Sequence, residues 1–483
     1  MPAVVERPGP AEAAGPPAVP PRRRPGAGRT GRSRTRSGAV ALVLASALAA
    51  GGCQGGSVPA TPAPGPTGDA LAADRASVPE REDALQQLLD ARAAAVLAGD
   101  VEGVLATTDP AATAFRERQA RAARGLARVP LESWSYEVVG AGAPPGGSRR
   151  AELGEGAWVA DVVLSYRVAG VDRVDQRRPQ SLTVVQRDGR WVVADDADGP
   201  GRPDLWDLGL VDVVEGRRTL VIGTAERAVL EQTAALGDAA ADRVDAVWGT
   251  GWPRRTVVLV PADQSQLARL LGREDESGLA QVAALTTGAD RSSGAPGAAG
   301  AVDRVLVNPA GLEVLGDLGR GVVLTHETTH VAVRAGAAAD PPLWLSEGFA
   351  DLVAYSGEAD LPPRVVAQDL LAAVRAGRGP SALPDEAAFD AARGDIAPAY
   401  SSSWLAVRAV EQRYGRPALL ELVRATAGRA PADGPDGPDG RGAAAGAAPV
   451  PLAEAVPQVL GVDLAVLEDQ WLEDLAALAA GTG

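Results

Sequence analysis

Residues 321–336 read GVVLTHETTHVAVRAG, and this stretch holds both histidines of a 483-residue chain. His326 and His330 are four apart, and Glu327 directly follows the first. On an α-helix, positions i and i+4 share one face, a single turn apart. Two imidazoles in that register can reach one ion at about 2.0–2.1 Å with the backbone undistorted. A carboxylate beside the first of them can take the proton of a water that zinc has made acidic. The rest of the composition sharpens this reading. Lysine is absent, Asn308 is the single asparagine, and Ala, Gly, Pro, Val and Asp are heavily used. That bias is the drift of a GC-rich coding sequence and carries no function. Against it, a residue type used twice in the whole chain is not readily placed in one helical turn by chance.

Two ligands leave the coordination of an ion incomplete. No histidine remains, so the third ligand is expected to be a carboxylate. The pattern HExxHxxGxxH is excluded, because Val333 stands at its glycine and Gly336 at its last histidine. Downstream, residues 341–357 read PPLWLSEGFADLVAYSG, and Glu347 lies 17 residues after His330 among Trp344, Leu345, Gly348, Phe349 and Ala350.

Here the sequence resembles the gluzincins, the thermolysin-like and aminopeptidase-like zinc peptidases, in which WLxEGFA supplies the third ligand. It is most similar to the peptidase-MA-like domains of exported bacterial proteins. The motifs cover residues 326–351, and the domain resemblance covers roughly 217–480. The resemblance implies one Zn2+ ion bound by His326, His330 and Glu347, with Glu327 as general base. It also implies that Asp351, four residues after Glu347, orients a ligand imidazole; capping or solvating its own helix is the competing role. A peptidase further needs a group that stabilises the oxyanion. Thermolysin-like enzymes use a distal histidine, which this chain lacks. The aminopeptidase-like branch uses a tyrosine, which points to Tyr400, 53 residues after Glu347, with Tyr355 as the alternative and core packing as a further role for both. The Gly-x-Met-Glu-Asn segment of the aminopeptidases is missing, so the specificity implied is that of an endopeptidase or is open. By the same analogy, the strand Val305–Val307 is expected to form the sheet edge that pairs with an extended substrate.

The chain ahead of this region reads in four parts. Residues 1–53 carry a basic run that includes Arg22, Arg23, Arg24 and Arg36, then the apolar stretch GAVALVLASALAAGG (38–52), then the only cysteine, Cys53. The apolar run is shorter than the roughly 20 residues a spanning helix needs. It is similar to a bacterial lipoprotein signal, with Cys53 as the lipidated residue and the membrane as partner through that lipid. Residues 54–80, rich in Pro, Gly, Ala and Thr, read as a flexible tether. Residues 81–200 read as an α+β domain, with helices first and then alternating segments that include a hairpin turn at Asp188-Gly189. Its pattern resembles the SnoaL-like, nuclear-transport-factor-like cone, a fold that serves as a spacer or partner-binding module or hosts a ligand; Trp134, Trp158 and Trp191 read as core. Residues 197–209 read as the hinge to the second domain, whose elements begin with strands at RRTLVIGT and RTVVLVPA and continue into long helices. The segments 288–300 and 430–449 read as low-complexity loops.

The fold class expected is therefore α+β, a cone-like domain followed by a small mixed sheet with a mainly helical zincin-type half. Residues 1–52 carry 8 Arg and 2 Glu, which leaves 39 basic against 60 acidic residues beyond them, a net of −21. Such a field excludes nucleic acid and an anionic membrane surface as partners of the body of the chain. The function expected is peptide-bond hydrolysis by a membrane-tethered zinc metallopeptidase outside the cytoplasm, acting on a peptide or protein substrate. The alternative is a lipoprotein whose peptidase-like domain binds metal or a protein partner and cleaves nothing.

Overall fold

The computed structural model describes residues 78–154, 156–279, 282–287, 303–356, 361–390, 393–429 and 447–482. The signal stretch, Cys53, nearly all of the tether and most of the two low-complexity segments lie outside them. Among the described residues, no helix is long and apolar enough to cross a membrane.

The first half opens with helices α1 (Val78–Leu97), α2 (Val101–Ala106) and α3 (Thr113–Leu126). Strand β1 (Leu131–Ala141), helix α4 (Gly147–Leu153) and strands β2 (Trp158–Val168), β3 (Gln176–Arg187) and β4 (Arg190–Asp195) follow. The four strands form one antiparallel sheet in sequential order. The β3–β4 turn has φ of 50° at Asp188 and 74° at Gly189, the positive pair that a tight hairpin connection requires. Alternation along β1 buries Trp134 against the helices.

The predicted hinge is instead a packed joint. It contains helix α5 (Leu205–Leu208), whose Trp206 sits 5.6 Å from the ring of Trp134 and 5.3 Å from that of Tyr166. A tryptophan withdraws too much apolar surface from water for the segment to stay loose. The same apolar cluster runs on from this joint into the second half. An ion pair joins the halves as well: Arg304 Nη2 lies 2.6 Å from Asp172 Oδ2, with both side chains buried. Asp172 also accepts from the Val168 backbone N–H, so the charges are taken out of water with other partners in place.

The second half holds strands β5 (Asp212–Glu215) and β6 (Thr219–Gly223), helix α6 (Arg227–Trp248), strand β7 (Thr256–Val260), helix α7 (Gln264–Leu270) and strands β8 (Ala284–Thr287) and β9 (Arg304–Val307). Their order in the sheet is β5-β6-β7-β9-β8, with β6, β7 and β9 parallel and the two outer strands antiparallel to their neighbours. The expectation for Val305–Val307 is thereby corrected. β9 is interior, between β7 and β8, and the edge is β8. The four-residue β8 carries too little pattern to be read as a strand in sequence, yet it covers the side of β9 that the sequence left open. Helices α8 (Pro309–Glu313), α9 (Asp317–Arg334), α10 (Leu343–Tyr355), α11 (Pro363–Val366) and α12 (Gln368–Arg375) come next. Helices α13 (Ala397–Tyr414), α14 (Arg416–Thr426), α15 (Leu452–Leu460) and α16 (Leu464–Ala480) complete the chain. Both the antiparallel sheet of the first half and the mixed sheet of the second agree with the α+β class.

Candidate metal centre

The site stands on α9 and α10, which pack against each other, with α6 against both and α13 against α10. Residues Val322–Val333 of α9 are all buried. Its threonines tolerate burial by bonding back along the helix: Thr325 Oγ1 donates to Gly321 O at 2.7 Å and Thr329 Oγ1 to Thr325 O at 2.8 Å. Helix α10 is buried from Trp344 to Tyr355. Gly348 allows it to meet α13 closely, because a Cβ at that position would overlap the carbonyl of Ser403.

These two helices bring His326, His330 and Glu347 together. His326 Nε2 lies 3.1 Å from Glu347 Oε2 and 3.1 Å from His330 Nε2, and His330 Nε2 lies 3.5 Å from Glu347 Oε1. Donors at about 2.0–2.1 Å around a tetrahedral ion are about 3.3 Å apart, so these spacings match the edges of a zinc-sized tetrahedron. The proton inventory leads to the same place. His326 Nδ1 is 2.9 Å from Asp351 Oδ1, which places a proton on Nδ1 and leaves the Nε2 lone pair directed at Glu347, another acceptor. Lone pairs facing each other in a buried place require a cation or a proton between them. In the metal-free chain a proton serves. Burial lowers the His326 pKa, but hydrogen bonds and charge from Asp351 and Glu347 outweigh it and raise that pKa well above the usual histidine value. Burial likewise pushes the Glu347 carboxyl up, and His330 and His326 overcome it and hold it well below the usual carboxylate range. The donor set fits a divalent ion, and His326, His330 and Glu347 can hold one.

Glu327, fully buried, accepts from Thr286 Oγ1 at 2.6 Å through Oε2, while the same hydroxyl reaches the Glu327 backbone carbonyl at 3.1 Å. Thr286 belongs to the edge strand β8, so sheet and site helix are joined at the expected base. Nothing in sequence marked this residue, because the contact depends on a strand pairing that sequence did not reveal. Arg334, two turns after His326, was also missed. It lies 3.1 Å from Asp340 and 3.7 Å from Asp303, and its charge acts on both Glu347 and Glu327.

Asp351 lies behind His326, its Oδ1 2.9 Å from the ring Nδ1. Tyr400 lies in the first turns of α13, buried, with its ring 5.3 Å from that of Phe389. Tyr355, the alternative, packs its ring 5.0 Å from Trp404. Burial, followed by the charge of Asp351, pushes its hydroxyl pKa well above the usual tyrosine value. Both tyrosines have core contacts, the competing role named for them. The first half holds a second polar feature, a cavity of about 580 Å³ lined by Arg92, Gln119, Asp196 and Asp207 among others. No such constellation was legible in the sequence of that half. Compared with known proteins, the chain matches no family model and no curated protein.

Proposed function

We propose that this chain is a zinc-dependent peptide hydrolase, membrane-tethered and acting outside the cytoplasm. The observation that carries the reading is the three-cornered set of His326, His330 and Glu347 donors 3.1–3.5 Å apart, with Asp351 behind it. His326, His330 and Glu347 would hold the ion, and Zn2+ suits two imidazoles and one carboxylate. When bound, the ion would supply a Lewis acid that brings the pKa of water toward neutrality and polarises a peptide carbonyl. Asp351 keeps the His326 ring in the tautomer that presents Nε2 to the ion. The Glu327 carboxylate takes the proton of the attacking water and returns it to the leaving amine. Thr286 fixes one of its oxygens for that exchange. An extended peptide would pair with the outer side of β8, where no further strand stands among the described residues.

A second reading has an observation of its own. His326, Glu327, His330 and Glu347 are at most 1% exposed, a setting that also suits an ion bound without turnover. One experiment separates the two. Casein hydrolysis is measured in membrane and soluble fractions for wild type and Glu327→Gln. The hydrolase reading expects activity that sediments with membranes and falls by about a thousandfold in the variant, the scale on which a base and the nucleophile it activates contribute. Activity that survives in Glu327→Gln refutes the base, and activity confined to the soluble fraction refutes the tether. Zinc with no hydrolysis in either fraction selects the second reading.

A further inference from the structure

The cavity of the first half is walled by apolar side chains from several elements, including Phe115, Leu126, Trp134, Leu164 and Trp206. The second half closes part of it with Arg269 of α7 and with Arg273. At about 580 Å³ it falls within the size range of small-molecule sites. Its polar groups set the sign of what it can hold. Arg92 is 7% exposed, and its guanidinium donates to the Val104 carbonyl at 3.3 Å, to Thr107 Oγ1 at 2.8 Å and to Gln119 Oε1. All three acceptors are neutral, and among the described residues no carboxylate lies within ion-pairing distance of it. A buried cation without a counter-charge is costly.

The acids of the cavity form no ion pair with it. Asp196 is paired with Arg118 at 2.7 Å, and Asp195 with Arg118 at 3.1 Å and Arg149 at 2.6 Å. Asp207 accepts from the Asp204 backbone N–H at 2.9 Å. Burial first, and the charge of Asp204 second, push its carboxyl up to about 8, while the charge of Arg92 works the other way without forming an ion pair. One donor on the wall has no partner at all, the buried indole N–H of Trp134. The wall thus offers donors, positive charge and aromatic surface, and its two paired carboxylates, Asp195 and Asp196, are engaged by other arginines.

We propose that this cavity binds a small organic acid, its carboxylate against Arg92 and its flat apolar body against the wall formed by Trp134, Trp206 and Leu164. The site is separate from the metal centre and does not depend on the hydrolase reading. Because α7 contributes to the wall, the acid would touch both halves of the chain.

The test is calorimetric titration of the full chain with 2-naphthoate and with the neutral 2-naphthalenemethanol. The acid should bind one to one and at least about tenfold more tightly than the alcohol, as one charge-assisted hydrogen-bonded contact supplies. Arg92→Gln should bring the acid down to the alcohol's affinity and leave the alcohol unchanged, and Arg92→Lys should recover part of the difference. Equal affinity for acid and alcohol overturns the proposal, as does the absence of any binding of the acid at millimolar concentration. A folded Arg92→Gln that binds the acid as wild type does also overturns it. If that variant does not fold, the wild-type ratio of acid to alcohol decides by itself.

Discussion

The two buried polar clusters of this molecule are mirror images in charge. Around Glu347 the groups that face each other are acceptors, with the Nε2 atoms of His326 and His330 turned toward a carboxylate whose own charge is retained. Around Arg92 they are donors, with a guanidinium and an indole N–H set against neutral acceptors and apolar rings. One cluster could hold a cation, and the other is the place proposed for an anion. Buried polar groups are almost always satisfied in folded proteins, so the partner that completes each place can be read by its sign from what is left facing inward. The mechanical settings differ too. The first cluster lies between α9 and α10, with Gly348 letting α13 close in behind α10. The second lies in the wall of a cavity that two halves of the chain share.

The largest effect is expected from breaking the frame of the first cluster. Gly348→Val drives a branched side chain into the Ser403 carbonyl, and overpacking at a helix crossing costs about 3 kcal/mol. Urea unfolding should show that loss together with loss of bound zinc; a wild-type midpoint would mean the crossing is not as tight as described. A finer probe keeps the frame and alters one charge. Asp351→Asn preserves an acceptor for His326 Nδ1 but removes the carboxylate, and zinc affinity measured against a chelating dye should fall by about 10- to 100-fold. An unchanged affinity would show that Asp351 merely solvates its helix.

A separate test probes the second cluster. The Asp207 carboxyl has a folded pKa of about 8 against about 4 in an unfolded chain. The folded state therefore holds the proton more tightly, and the stability this adds is full below pH 4 and lost as pH rises through 8. Wild type and Asp207→Asn should melt together near pH 4 and separate by pH 9, with the variant higher by several degrees. A gap that does not change with pH would remove the neutral Asp207 from the account, and with it one reason that Arg92 is uncompensated.

What was legible in sequence follows the same division. The candidate metal site could be read because helical periodicity puts His326 beside His330, and the resemblance to gluzincins singled out Glu347, with Asp351 on the same helical face. Local spacing carries those relations, and tertiary packing adds only the meeting of α9 with α10. Thr286 could not be read, since its place depends on β8, a strand of four residues whose pairing with β9 is invisible in the pattern. The edge was assigned to β9 for the same reason. Arg92 was hidden in another way. On α1 it looks like any solvated arginine between alanines, and it is buried only because α2 and α3 fold across it and present Thr107 and Gln119. Tyr400 was reached by analogy with a family, not through any contact that the spacing of this chain requires, and the ring contact with Phe389 is one that any core tyrosine could make.

The central claim is that His326, His330 and Glu347 hold a single divalent ion. Metal analysis of the purified chain, dialysed with a slight excess of zinc and then against metal-free buffer, tests it most directly. The account predicts close to one zinc per wild-type chain and close to none in a folded Glu347→Ala. Zinc retained at full stoichiometry in Glu347→Ala, or none retained by the wild type, would contradict it.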